Sequence, residues 1–202
     1  TGPVVWHVDN TLGAVDGAGT SMAPFDTLAA AETASAAGDT IRITRQGGLT
    51  DEAALVGLSD GITLKDNQTL VGVGGAVISN TNGTGIVMGN GCTITDLTIS
   101  NVVGRGLEAD NKVDGTLTNV TIDGTTSDGL RLTNSSGTWT VTNPDFKNVS
   151  DSAIATHVTP ADAGVALSLS ISGGSVKSTE EALRLHANGS AASAIYGLFE
   201  GV

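Results

Sequence analysis

The sequence predicts an all-β chain folded as a right-handed, single-stranded parallel β-helix with three short strands per coil. A capping strand and a short helix would close its N-terminal end. Three observations point there. Long stretches of the chain superpose on one another at near-constant offsets, their apolar residues fall into columns, and one bend in each repeat is always Asn, Asp or Gly. Composition agrees: aromatic residues are only 3% while Gly numbers 28, so Ala, Val, Ile and Leu must fill the core, on short strands with tight turns.

At the N-terminus, residues 4–8 alternate as a strand and residues 13–20 form a Gly-rich loop. Residues 25–37 read as an Ala-rich helix, begun by Pro24 and Asp26 and stopped by Gly38. A solenoid exposes core and strand edges at its ends, and a helix laying Phe25 and Leu28 over the first coil would cover them. His7, on the capping strand, is expected to pack rather than to ligate. Residues 39–44 and 63–73 then enter the coils. The expected division is a cap with the first strand over 1–60 and coils over 61–202, within one domain.

The repeat itself begins with residues 92–114, which align without a gap on 115–137 at an offset of 23. An offset of 24 brings in residues 140–156, and one of about 30, shortened by one near Glu180, brings in 170–185. Upstream, 73–88 matches 94–109 at an offset of 21. In this frame Val73, Ile94, Leu117, Val141 and Ile171 form one apolar column. Ile78, Ile99, Ile122, Phe146 and Val176 form a second. Ile86, Leu107, Leu130, Ile154 and Leu183 form a third, and Met88, Ala109, Leu132, Thr156 and Leu185 a fourth. Apolar and polar residues alternate within each run, the period of a strand.

The bend column is Gly75, Asp96, Asn119, Asn143 and Gly173, residue types that tolerate the left-handed backbone. A turn ladder of Asp96, Asn119 and Asn143 is therefore expected. Residues 194–202 begin another coil. Either Tyr196, Leu198 and Phe199 form a small cap, or further coils follow in a longer chain, the reading taken here.

The opening VVWHVDN, then GAGTSMAPFDTLAAAETASAAGDTIRI and LKDNQTLVGVG, resembles the cap and first coils of pectin-lyase-like right-handed β-helices. In character it is closest to bacterial polymorphic-membrane-protein and autotransporter-passenger surface proteins. The resemblance extends over the whole chain as architecture. It implies that the Asn column marks the bend between the second and third strands, and that the strand around 129–132 belongs to the sheet where the family's enzymes place their sites. Fold alone does not assign an activity, because this one carries lyases, hydrolases, adhesins and fibres alike.

On that sheet the outward column reads Val87, Glu108, Arg131, Ala155 and Arg184. Arg105, Asp128, Asp151, Glu180 and Glu181 precede the strand; Asp110, His157 and His186 follow it. Asp128, Asp151, Arg131, Arg184, His157 and His186 are the candidate catalytic residues. Two carboxyls can serve as acid and base on a glycosidic bond. The resemblance implies a second chemistry, in which Ca²⁺ and carboxylates neutralise a uronate and Arg takes its C5 proton. The hydrolase signatures Asn-Thr-Asp, Asp-Asp and Gly-His-Gly are missing, as is a calcium-binding set of Asp on the strand. The competing reading is a solvated sheet on which Glu108 and Arg131 pair across coils. Two stacked histidines could contribute to a metal site, but no third ligand stands out, so no metal centre is assigned.

A second array is more regular. Thr93, Thr95, Thr116, Thr118, Thr140, Thr142, Ser170 and Ser172 put two outward hydroxyl columns on one sheet, a pattern similar to that of ice-binding β-solenoids. Upstream, Gly72 and Gly74 would interrupt it. Thr is also simply a good exposed strand residue.

A net charge of -12 repels phosphates and anionic lipid, which disfavours nucleic acid and membrane surfaces as partners. A single cysteine, Cys92, excludes an intramolecular disulfide, and no apolar run reaches the ~20 residues of a membrane span. The functional expectation is an extracellular or cell-surface module, structural or adhesive and non-catalytic, with no cofactor beyond a candidate Ca²⁺. Its partners would be a polysaccharide, a surface receptor, further coils or a second copy end to end. Polysaccharide cleavage or binding at the Arg131 face is the main alternative, and ice binding the lesser one.

Overall fold

Parallel strands dictated by the alternating repeat wind into three sheets, and the columns of the sequence become the stacked interior of a β-helix. A computed structural model describes residues 2–10, 17–44, 58–158, 166–187 and 194–201. The hydroxyl sheet has eight strands, in order Val5–Val8, Thr40–Thr44, Thr69–Val73, Cys92–Thr95, Val113–Thr118, Ser136–Thr142, Ala166–Ser172 and Ala194–Glu200. The middle sheet stacks Val77–Asn80, Thr98–Val102, Thr121–Thr125, Asp145–Val149 and Ser175–Ser178. The arginine sheet stacks Ile62–Thr63, Ile86–Val87, Leu107–Asp110, Leu130–Thr133, Ser152–Val158 and Glu181–Ala187. Among the described residues, the five complete coils, from Thr69–Val73 to Glu181–Ala187, each contribute one strand to each sheet.

The registers follow the sequence offsets. Leu117 pairs with Ile94 and Val141, Ile122 with Ile99 and Phe146, and Leu130 with Leu107 and Ile154. These side chains are buried, so the aliphatic columns are the core. Trp139 and Phe146 are its largest members. Trp139 lies against Gly115, where an added Cβ would come within 2.3 Å of its ring.

One column needs correction. Leu70, not Val73, precedes Ile94, and Val73 pairs back with Thr44. Between Leu70, opposite Ile94, and Val77, opposite Thr98, the chain is three residues longer than in the next coil, and it turns on Gly74 and Gly75, at φ +66° and +74°. A gapless alignment cannot show an insertion confined to one bend. As a result Thr69 and Val71, rather than Gly72 and Gly74, stand opposite Thr93 and Thr95.

The bend residues stack as a ladder. Gly75, Asp96, Asn119, Asn143 and Gly173 all take positive φ. The Asn119 side-chain amide donates to Asp96 (2.8 Å), and Asn143 donates to Asn119 (3.2 Å).

At the cap the helix is shorter than predicted, Leu28–Ala34. Thr27, not Asp26, is its N-cap, accepting the Ala30 N–H at 3.1 Å. Phe25 is held outside the helix by a bridge to Val8 and by stacking on Trp6, and Ser35 is already extended. Leu28 and Ala31 face the core, while Lys65 Nζ donates to the carbonyls of Glu32 and Ser35 at the other end. His7 pairs in register with Arg42 on the outward side of the hydroxyl sheet. Residues 13–16 of the expected Gly-rich loop lie outside the described residues. At the last coil Leu198 sits opposite outward-facing Ser170 and is 55% exposed, so it does not cover the core. The side chains of Tyr196 and Phe199 lie outside the described set.

Candidate functional site

Alternation along Leu130–Thr133 turns Leu130 and Leu132 inward and Arg131 outward. Its column is the expected one: Val87, Glu108, Arg131, Ala155 and Arg184 are successive partners. Ala155 is fully buried between the two arginines.

The two candidate carboxylates part company. Continuing the Leu130–Ile154 register back, Asp128 stands opposite Ser152 and Asp151 opposite Ser127, one position apart in bends that precede the strands. Asp128 is buried, 1% exposed, accepting the Ser152 N–H at 3.2 Å and the Arg131 guanidinium at 3.0 Å. Arg105 Nε is 4.0 Å away. Asp151 is partly exposed and pairs with Arg184 at 3.0 Å.

Arg184 also reaches Glu180 at 3.4 Å and Glu181 at 2.6 Å. The Glu181 hydrogen bond, followed by the Asp151 charge, holds its guanidinium above the ordinary arginine value despite partial desolvation. Glu108 pairs with Arg105 and accepts from the Thr84 hydroxyl, so the expected Glu108–Arg131 pair is replaced by Glu108–Arg105 and Arg131–Asp128. The reason is local: Arg105 and Asp128 lie three residues from Glu108 and Arg131, within easier reach than a cross-coil bond.

His157 and His186 are stacked, with ring centroids 5.3 Å apart and planes 16° apart. Burial, then the charges of Arg131 and His186, hold His157 below the usual imidazole value. Among the described residues no three His, Cys, Asp or Glu side chains converge on a metal position.

Cys92 is buried with its thiol on the Lys65 carbonyl (3.2 Å), and burial pushes its pKa up, so it is no ready nucleophile. A cleft of about 420 Å³ lies where the middle sheet bends toward the arginine sheet, lined by Asn101, Val102, Gly124 and Thr126 among others. None of the six candidate residues lines it.

Arg131, His157, Arg184 and His186 lie on strands of the arginine sheet, and Asp128 and Asp151 lie just before two of those strands. Arg131 and Asp128 form one cluster, and Arg184 and Asp151 another, with Ala155 between. Sequence reasoning missed Ser152 as the backbone partner of Asp128, and Thr40 and Thr69 as members of the hydroxyl column. The register of Thr40 with Thr69 and of Thr69 with Thr93 places them there.

A family model described as a right-handed β-helix region matches residues 37–179. Among solved structures, a rhamnogalacturonan lyase is similar at 14% identity with a TM-score of 0.36. That alignment covers 98% of this chain, which spans 61% of the length of the other. No curated protein matches the sequence. Among the described residues no helix is long and apolar enough to cross a membrane.

Proposed function

The chain belongs to the right-handed β-helix family, and from that premise we propose that it is a non-catalytic module of the cell surface or extracellular space. Its role is structural or adhesive, in the manner of a passenger or filament segment. The observation that carries this reading is the internal pairing of the arginine sheet. Arg131, Arg184 and Arg105 are each bound to carboxylates of the same sheet, and Asp128 is buried holding Ser152 and Arg131. A general acid must offer its proton to a substrate, and an arginine base must be free of a counter-ion. Charges committed to one another instead hold the sheet together, within a coil at Arg131–Asp128 and Arg105–Glu108 and between coils at Arg184–Asp151 and Asp128–Ser152. On this reading the exposed strands present a surface to a polysaccharide, a receptor or a second copy.

The test is incubation of the protein with polygalacturonate and rhamnogalacturonan, with and without Ca²⁺, following unsaturated uronate by absorbance and new reducing ends. No product above buffer is expected. Product that forms with the wild type and vanishes in Arg131→Ala would overturn the proposal and favour polysaccharide cleavage at this face.

A further inference from the structure

The hydroxyl sheet carries a second, independent regularity. With the register corrected, one outward column runs Thr40, Thr69, Thr93, Thr116, Thr140 and Ser170, two coils longer than the sequence suggested. Beside it runs Thr95, Thr118, Thr142 and Ser172. Pairing is free of bulges across this window, so the rows repeat at about 4.8 Å between coils and about 6.6 Å along each strand.

These hydroxyls make no side-chain hydrogen bond among the described residues. On and around the arginine sheet, hydroxyls are used internally. Thr84 donates to Glu108 at 3.2 Å, Thr125 to the Ser127 carbonyl at 2.8 Å, and Ser135 to the Ala109 carbonyl at 3.1 Å. The two columns also carry no charge from Thr93 and Thr95 to Ser170 and Ser172, in a chain whose net charge is -12.

We propose that this face binds the surface of an ice crystal. The partner it fits is uncharged, planar and periodic in two directions, and offers both donors and acceptors to hydroxyls that are themselves both. β-Branched Thr has few rotamers to lose when such a partner orders it. A sugar lattice would call for aromatic rings to stack on, and among the described residues no Trp, Tyr or Phe side chain lies on these columns. The inference rests on the binding-module reading but uses a different face from the arginine sheet.

Ice recrystallisation and the gap between melting and freezing temperatures are measured for the wild type, Thr116→Lys, Thr116→Val and Lys147→Ala. The wild type and Lys147→Ala, whose change lies on the middle sheet, are expected to arrest growth. Thr116→Lys should lose the arrest. Thr116→Val, nearly isosteric and so a safeguard if the Lys variant misfolds, should weaken it at an unchanged melting curve. No arrest by the wild type, or arrest unchanged in Thr116→Val, overturns the inference. So does Thr116-dependent binding to crystalline cellulose without any effect on ice. None of these outcomes produces uronate product, so failure here is distinguishable from failure of the non-catalytic reading.

Discussion

Gly115 has no room for a side chain, because the ring of Trp139 in the next coil occupies the space a Cβ would need. Gly115→Ala is expected to lower stability by about 1–3 kcal/mol in urea unfolding. Asn119 holds two rungs of the bend ladder and a φ of +54°. Asn119→Ala loses both features and should cost about 1–2 kcal/mol, whereas Asn119→Gly keeps the backbone and should cost less. This ladder was legible in the sequence because left-handed residues reveal themselves by type. The fate of Asp128 was not. It precedes the strand like Asp151 does, yet a single step along the chain decides which carboxylate is buried.

At the scale of the element, the capping strand is tied down by one carboxylate. Asp39 accepts from Val4 N–H, Trp6 Nε1 and Ala36 N–H, each at 2.8 Å. Burial opposes ionisation there, but these hydrogen bonds outweigh it and hold its pKa below the ordinary carboxylate value. Asp39 thus stabilises the fold fully above the unfolded-state pKa of about 4, and that stability is lost as pH falls through the lower folded value. Asp39→Ala should remove about 2–4 kcal/mol at neutral pH, read as a lower melting temperature. The capping helix was legible in kind but not in extent, because Phe25 is claimed by Val8 and Trp6, contacts that no local pattern reports.

The strands Ser152–Val158 and Glu181–Ala187 carry a second titration of the same sign, at higher pH. His157 is held below its unfolded value near 6.5, so the unfolded chain binds the proton more readily. Stability should be complete above that value and decline as pH falls through it toward the lower folded pKa. Hydrogen exchange at pH 7.5 and pH 5 should show earlier opening of these two strands in acid, and His157→Gln should flatten the difference.

For the whole molecule, stability is a sum of coils and the interfaces between them. Three of the four columns hold their register throughout, because a repeat forces equivalent residues into one register, although Leu185 in the last coil is exposed rather than core. The first column failed only at Val73, because the chain between Leu70 and Val77 carries three additional residues. The functional reading depends on whether the arginine sheet is a brace or a reaction surface, and the unfolding free energy of Asp128→Asn decides between them most directly. A brace predicts a loss of about 2 kcal/mol, since Arg131 is left beside a neutral group in a largely buried setting. A carboxylate kept for chemistry at the expense of the fold gives the reverse, so unchanged or higher stability in Asp128→Asn would contradict the structural role.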